Sequence, residues 1–377
     1  MNKHYLFSAP GRTEICGNHT DHQHGCVLAA AIDLETVADV ILTGTNYVTI
    51  ISDSYPELSI DLNDLNVHPK EKNTTASLVR GILAAFHNKG ATLKGFLATV
   101  HSTVLPGSGL SSSAAFEVLI GTICNTLFFE SRLTPIEIAQ IGQWAEYVYF
   151  GKPCGLMDQM ASSVGGLVFI DFMDSQNPIV KKIDYDFSKT GHVLCIIDSG
   201  ADHADLTDEY AAITYELKSL CSLLGKDVLR QIPEAEFLEK LSDLRGKISD
   251  RALLRAFHIY RENERVLAQI KALQSDDFDT FLRICKESGH SSWMYLQNIY
   301  PAGAIKQQAV AFALALCDTL LQGRGAYRVH GGGFAGTIQA FVPNDMLDIF
   351  KTEIERNLGI GSCHILNIRP QGGIQLQ

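Results

Sequence analysis

Pro106-Gly107-Ser108-Gly109-Leu110-Ser111-Ser112-Ser113-Ala114-Ala115 joins a strand-like run over 96–104 to a helix-like run over 111–129. Apart from Leu110, its side chains are small, so backbone N–H groups can crowd around an anion, and the start of the helix adds partial positive charge. Three consecutive hydroxyls supply further donors, or a ligand for a phosphate-bound Mg²⁺. The plain alternative is a Gly/Ser turn with an N-capping Ser. It is not a Walker loop: the Gly-Lys pairs at 151, 225 and 246 are followed by Pro153, Asp227 and Ile248 rather than Ser or Thr.

Outward from this stretch, runs rich in Val, Ile, Leu and Phe predict strands over 47–52, 96–104, 166–172, 192–198 and 337–342. Helical patterns predict helices over 75–89, 111–129, 135–150, 212–224, 250–273 and 304–321. Thr134-Pro135-Ile136-Glu137 has the capping box and first-turn Pro of a helix start, and Gly151 follows its end. Strands and helices mix without regular alternation, which points to an α+β fold. At roughly 100–200 residues per domain the chain has room for two. Asp174-Ser175-Gln176-Asn177-Pro178 interrupts the apolar pattern, and the expected domains are 1–185 and 186–377.

Lys plus Arg number 31 and Asp plus Glu 42, a net charge of −11, which disfavours a non-specific nucleic-acid binder. The nine Cys are scattered without a C-x-x-C pair, as expected of reduced thiols in a cytoplasm rather than a disulfide framework. The first residues lack the apolar core of a secretory signal. The longest apolar run, Ala309 to Cys317, falls far short of the ~20 residues of a membrane span. The expectation is a soluble, cytoplasmic protein without nucleic-acid or membrane partners.

Three further stretches have the residue types of a site. In Pro10-Gly11-Arg12-Thr13-Glu14-Ile15-Cys16-Gly17-Asn18-His19-Thr20-Asp21-His22-Gln23-His24-Gly25, a polar loop leads into the apolar run 26–32. His19, Asp21, His22 and His24 could bind a metal, although their spacing matches no common metal motif. Recognition of a polyhydroxylated ligand fits better, since a carboxylate can accept from two adjacent hydroxyls. Asp158 stands among small and apolar residues in Cys154-Gly155-Leu156-Met157-Asp158-Gln159, where a lone carboxylate needs a partner. It is a candidate acid/base, or else a helix cap. Gly331-Gly332-Gly333-Phe334-Ala335-Gly336 contains G-x-G-x-x-G, but a helix precedes it and a strand follows, the wrong order for a dinucleotide fold.

Together these stretches resemble the galactokinase family of the galacto-, homoserine, mevalonate and phosphomevalonate (GHMP) kinase superfamily. The motifs are Pro10-Gly11-Arg12 with Gly17-Asn18-His19-Thr20-Asp21, Pro106 to Ala115, Cys154 to Gln159, and Gly331 to Gly336. The resemblance implies a two-lobed α+β fold with the active site between lobes: an N-terminal ATP- and sugar-binding domain and a C-terminal GHMP-kinase domain. It implies transfer of the γ-phosphoryl group of ATP to the anomeric C1 hydroxyl of a hexose, galactose first, with Mg²⁺ as cofactor. Asp158 takes the place of the catalytic carboxylate and Arg12 of the cation beside it. Pro106, Gly107, Ser108, Gly109, Leu110, Ser111, Ser112 and Ser113 would bind the nucleotide, and Ser113 and Glu146 the metal. Arg12, Asn18, His19, Asp21, Gly155, Asp158 and Tyr210 would contact the sugar. A monomer is the default expectation.

This sequence departs from the family pattern Arg-x-Asn-x-Ile-Gly-Glu-His-x-Asp-Tyr. Glu14 replaces the Asn, Asn18 the Glu and His22 the Tyr. Asn18 is then expected to make the contact to the sugar's 6-hydroxyl, and being uncharged it would also tolerate a carboxylate there, as in galacturonate. N-acetylgalactosamine and arabinose are further alternatives, and a catalytically silent sugar sensor is another. Thr75 stands where many relatives have an adenine-contacting Trp, and 211–216 lacks the paired arginines that follow the sugar-contacting Tyr.

Overall fold

Two long antiparallel strands, β1 (His4–Cys16) and β2 (Cys26–Leu42), open the chain, joined through a short turn over Asp21–Gln23. Here the structure corrects the sequence reading, which places residues 10–16 in a loop. The second half of β1 buries Arg12, Thr13 and Glu14, so it lacks the apolar alternation that marks a strand. The computed structural model describes residues 3–53, 55–104, 109–152, 154–201 and 206–377.

The chain continues through β3 (Tyr47–Ser52), β4 (Tyr55–Asp61), α1 (Thr75–Asn88), β5 (Phe96–Ser102), α2 (Ser112–Phe128) and α3 (Pro135–Ala145). The capping box forms: Thr134 Oγ1 accepts from the Glu137 amide at 3.3 Å, and Glu137 Oε2 from the Thr134 amide at 2.8 Å. Beyond α3 the helix widens into a π-helical turn over Glu146–Phe150 and stops at Gly151, φ 84°. Then come α4 (Met157–Val164), β6 (Leu167–Asp171) and β7 (Ile179–Ile183).

The remaining elements are β8 (His192–Asp198), α5 (Thr207–Leu223), α6 (Glu234–Leu244), α7 (Asp250–Gln274), α8 (Phe278–Ser291), α9 (Ala309–Leu321), β9 (Ala326–Val329), β10 (Thr337–Pro343), α10 (Leu347–Leu358), β11 (Cys363–Leu366) and β12 (Ile374–Gln375). Strand β9 is a second correction. The glycine-rich segment lies inside a β-hairpin, between β9 and β10, rather than directly after a helix.

The architecture is α+β with two sheets. The larger runs β12-β1-β2-β5-β3-β4, with β6 beside β2 and β7 beside β6, and among the described residues only its β3–β5 pair is parallel. The smaller, β11-β8-β10-β9, is antiparallel throughout. Helices α1, α2 and α3 cover the larger sheet through Phe7, Val40, Phe96, Leu83, Phe86 and Leu119. Removing one such buried Phe side chain would cost about 3–5 kcal/mol. A second core runs from Ile15, Leu28 and Ile32 through Val266, Phe281 and Cys285 of α7 and α8 to Ile196 and Phe341 of the smaller sheet. It fixes the glycine-rich hairpin against the end of β1. No helix among the described residues is long and apolar enough to cross a membrane.

Candidate active site

A cavity of about 220 Å³ opens where β1, the starts of α2 and α4, the turn after β1 and the glycine-rich hairpin meet. Arg12 and Asp158 line it. Arg12 Nε donates to Asp158 Oδ1 at 2.7 Å, and its Nη1 donates to the Gly109 carbonyl. Ser111 Oγ donates to the other oxygen, Oδ2, at 2.5 Å. Burial alone would raise the Asp158 pKa, but Arg12 and the Ser111 hydroxyl overcome it and hold the carboxyl below its ordinary value. Asp158 is therefore an oriented, ionised acceptor at neutral pH, in the first turn of α4.

Pro106, Gly107 and Ser108 of the expected anion cradle lie outside the described residues. Its second half is described. Ser111 takes a left-handed backbone, φ 61°, and its side chain makes no capping hydrogen bond. Its hydroxyl turns to Asp158 instead, so the first amides of α2 carry no side-chain cap from it and face outward as anion donors do. Such a conformation costs a Ser about 1–2 kcal/mol, which the 2.5 Å contact to Asp158 helps to offset.

Ser113 and Glu146 both line the cavity. Glu146 Oε1 meets Lys152 Nζ at 3.2 Å, and Oε2 accepts from Gln159 Nε2 at 3.0 Å. That same Gln159 nitrogen donates to Glu117 Oε2 at 2.9 Å. Glu117 Oε1 is buried with no partner among the described residues. Burial and then the nearby Glu146 charge push Glu117 well above the usual carboxylate range. Glu146, with the orphaned oxygen of the Glu117 acid behind it, suits a neighbouring divalent cation, whose charge would relieve the crowding of the two acids, and Mg²⁺ normally takes only one or two carboxylates alongside phosphate and water. No group of three or more His, Cys, Asp or Glu side chains among the described residues is arranged to hold a metal, so the polyhistidine reading of 19–24 finds no support in the geometry.

The opposite wall comes from the end of β1 and the turn after it. Glu14, His19, Asp21 and His22 line it with Gly155, Tyr210, Gly331 and Gly332. His19 Nε2–H donates to the Gly332 carbonyl at 3.0 Å, which leaves Nδ1 as an acceptor. Burial and the adjacent His22 lower the His19 pKa to about 3, so the ring is neutral. Gly155 leaves the room that Asp21 occupies: a Cβ would sit 2.3 Å from Asp21 Oδ2. Gly332 likewise lies flat on the Tyr210 ring, where a Cβ would come within 2.4 Å of it. His22 Nε2 and Tyr210 Oη are 3.4 Å apart, closing the wall on the solvent side. After Tyr210, Glu216 of α5 meets Arg251 and Arg255 of α7 at 2.5 and 2.8 Å.

Asn18 differs from expectation. It is fully buried and is not part of the cavity wall. Its Nδ2 donates to the Gly331 carbonyl at 2.6 Å, and its Oδ1 accepts from Asn298 Nδ2 at 2.9 Å and Ser292 Oγ at 3.3 Å. The carboxamide ties the turn to the hairpin, and Glu14 occupies the wall.

Behind this wall stands a layer that sequence reading missed. Glu262 of α7 is fully buried; its Oε1 accepts from the Gly17 amide at 3.2 Å and Ser288 Oγ at 2.6 Å, and its Oε2 from Arg265 at 2.7 Å. One turn earlier on α7, His258 Nε2–H donates to the Asn18 carbonyl at 3.0 Å. Arg328, in β9, pairs with Glu14 at 2.6 Å and donates to the Ile15 carbonyl at 2.8 Å. The available signal was an Arg-x-x-His-x-x-x-Glu pattern (255, 258, 262) on the face of α7 that also buries Ile259 and Val266.

A second cavity, about 330 Å³, shares Ser113, Glu146 and Lys152 with the first and is lined further by Thr75, Tyr55, Leu78, Phe116 and Phe150. Thr75 therefore borders space beside the start of α2, with a volume that can take a flat ring system.

The family models "GHMP kinases N terminal domain" and "Galactokinase galactose-binding signature" match residues 77–166 and 2–40. The chain is 31% identical to the galactokinase of Clostridium acetobutylicum, covering 98% of this chain and 94% of that one. It is 30% identical to the galactokinase of Haemophilus influenzae strain Rd, covering 93% and 88%. In fold it matches the solved structure of Lactococcus lactis galactokinase complexed with galactose, with a TM-score of 0.84 at 23% identity over 99% of this chain and 95% of that chain.

Proposed function

The chain belongs to the galactokinase family of the GHMP kinases, ATP-dependent sugar kinases, and from that premise we propose that it transfers the γ-phosphoryl group of ATP to the C1 hydroxyl of galactose, giving galactose 1-phosphate. The observation that carries this is the Asp158 carboxylate, held between Arg12 and Ser111 on a cavity whose far wall is built of groups that recognise hydroxyls.

In this reading the sugar lies between Asp158 and the His19–Asp21 wall, with its C1 hydroxyl on Asp158. Phosphoryl transfer asks chiefly for alignment and charge neutralisation. Asp158 accepts a hydrogen bond from the attacking hydroxyl and takes its proton as the O–P bond forms. The lowered pKa makes it a weak base, so the proton moves late in the step. Arg12, fixed by Asp158 and the Gly109 carbonyl, offsets the charge of the transferring group. The amides opening α2 and the hydroxyls of Ser112 and Ser113 cradle the phosphates, and Pro106–Ser108 belong to the same proposed cradle. The cavity beside Thr75 takes the nucleotide base. Ser113 and Glu146 would hold Mg²⁺, which when bound neutralises phosphate charge. His19 Nδ1 and Asp21 accept from ring hydroxyls, and Tyr210 covers the sugar's outer edge.

Coupled ADP release with Mg-ATP, measured across galactose, galacturonate, N-acetylgalactosamine and arabinose, tests the substrate. We expect galactose to give the highest kcat/KM and a product whose anomeric proton is split by phosphorus in its NMR spectrum. Turnover of another of these sugars with none on galactose overturns the named substrate.

A further inference from the structure

We propose that Glu14 is the specificity-determining residue of the sugar cavity: its carboxylate accepts a hydrogen bond from a hydroxyl at the end of the sugar remote from Asp158 and turns away sugars carrying a carboxylate there. The proposal rests on the kinase reading for the orientation of the sugar.

Glu14 and Arg12 are two residues apart in a regular stretch of β1, where Arg12, Thr13 and Glu14 pair with Ala31, Ala30 and Ala29. Both therefore point to one face, and both line the cavity. Two strand residues span roughly 6.5–7 Å, about the width of a pyranose ring. A ring with its reacting hydroxyl at the Arg12–Asp158 end brings its other end to Glu14.

The Glu14 carboxylate is built to wait there. Only 4% of the residue is exposed, and Oε1 is fixed by Arg328 at 2.6 Å with Asn18 Nδ2 at 3.3 Å. Arg328 is itself completely buried and anchored on the Ile15 carbonyl at 2.8 Å. Oε2 has only the same Asn18 nitrogen, at 3.5 Å, among the described residues. A contact that long leaves its acceptor capacity unspent. The result is a rigid carboxylate, backed by a buried cation, with one oxygen free at the wall of a cavity. It calls for a neutral donor. Asn18 cannot take that role, since its carboxamide is spent on Gly331, Asn298 and Ser292.

The test is sugar affinity by calorimetry and kcat/KM with Mg-ATP, for wild type and Glu14→Gln, on galactose, its 4-deoxy and 6-deoxy analogues and galacturonate. In wild type, one deoxy analogue should lose about 10–100-fold, as for a hydrogen bond to a charged group. Galacturonate should be disfavoured on the order of 10³-fold, as for like charges about 4 Å apart at the screening typical of proteins. Glu14→Gln should remove most of both differences, and its effect on galactose should fall on KM more than kcat. Asp21 also lines the wall, so discrimination that survives unchanged in Glu14→Gln overturns the proposal. If losing the partner of Arg328 prevents that variant from folding, wild type decides: equal affinity for galactose and galacturonate, or no deoxy penalty, overturns it. Sugar binding with this selectivity but no phosphoryl transfer would sink the kinase reading and leave Glu14 as the selecting group.

Discussion

Asp158→Asn keeps the shape of the side chain and removes its charge. The amide oxygen can still accept from Arg12 Nε, which lies 2.7 Å from Oδ1, and the new NH₂ can donate to Ser111 Oγ, 2.5 Å from Oδ2, once that hydroxyl rotates. Local geometry should therefore survive. Arg12 loses a charge-assisted bond and keeps a neutral one, and Glu14 remains nearby to offset its charge, so stability should fall by only about 1–2 kcal/mol. Catalysis has no such fallback, because the amide cannot take the hydroxyl proton. General-base contributions of about 10²–10⁴-fold correspond to roughly 3–5 kcal/mol of barrier. We expect kcat in a coupled ADP-release assay to drop at least 100-fold while calorimetric galactose affinity changes by less than about 10-fold. A variant retaining kcat within about 5-fold of wild type would refute the assignment of Asp158 to the reacting hydroxyl.

Two further outcomes are expected. Gly155→Ala would put a Cβ 2.3 Å from Asp21 Oδ2 and push that carboxylate out of the wall, so the KM for sugar should rise about 10–100-fold with little change in melting temperature; an unchanged KM would remove Asp21 from the sugar site. Burial lowers His258 to about 4, so it stays neutral in the folded protein while the unfolded chain protonates it near 6.5. The stability this contributes is present above pH 6.5 and is lost as pH falls toward 4, at about 1.4 kcal/mol per pH unit. Urea unfolding between pH 6 and pH 5 should show a shallower pH slope for His258→Gln by about that amount, and equal slopes would contradict the neutral assignment.

Much of the fold is visible in the sequence where a single face decides burial. Strands β3 and β8 coincide with the runs 47–52 and 192–198, and the Thr134–Glu137 capping box marks the start of α3 correctly. The pattern fails where the interior is polar. The end of β1 buries Arg12, Thr13 and Glu14 against partners more than 90 residues away along the chain, and such a strand has no apolar period to read. The family resemblance brought Arg12, Ser113, Glu146, Gly155, Asp158 and Tyr210 into view, and the fold gathers all six around one cavity. What the resemblance cannot show is which way β1 is turned: position 18 is the expected sugar contact, but the face of β1 that carries Arg12 puts Glu14 on the wall, and the turn after the strand puts Asn18 behind it. Glu262 and His258 were hidden for a related reason, since a buried charge on a long amphipathic helix gives no hint of the distant backbone that it grips.

That grip divides the sugar wall into two sets of side chains. Glu14, His22 and Tyr210 face the cavity, whereas His258 and Glu262 hold the main chain of residues 17–18 from the far side. An engineer seeking a new sugar preference can randomise His22 and Tyr210 and expect folded products, provided the outer pair is left alone and Glu14 is kept as the partner of the buried Arg328. Natural drift in specificity would be confined in the same way, with lineages exchanging what the pocket displays while the bolts that fasten its panel stay put.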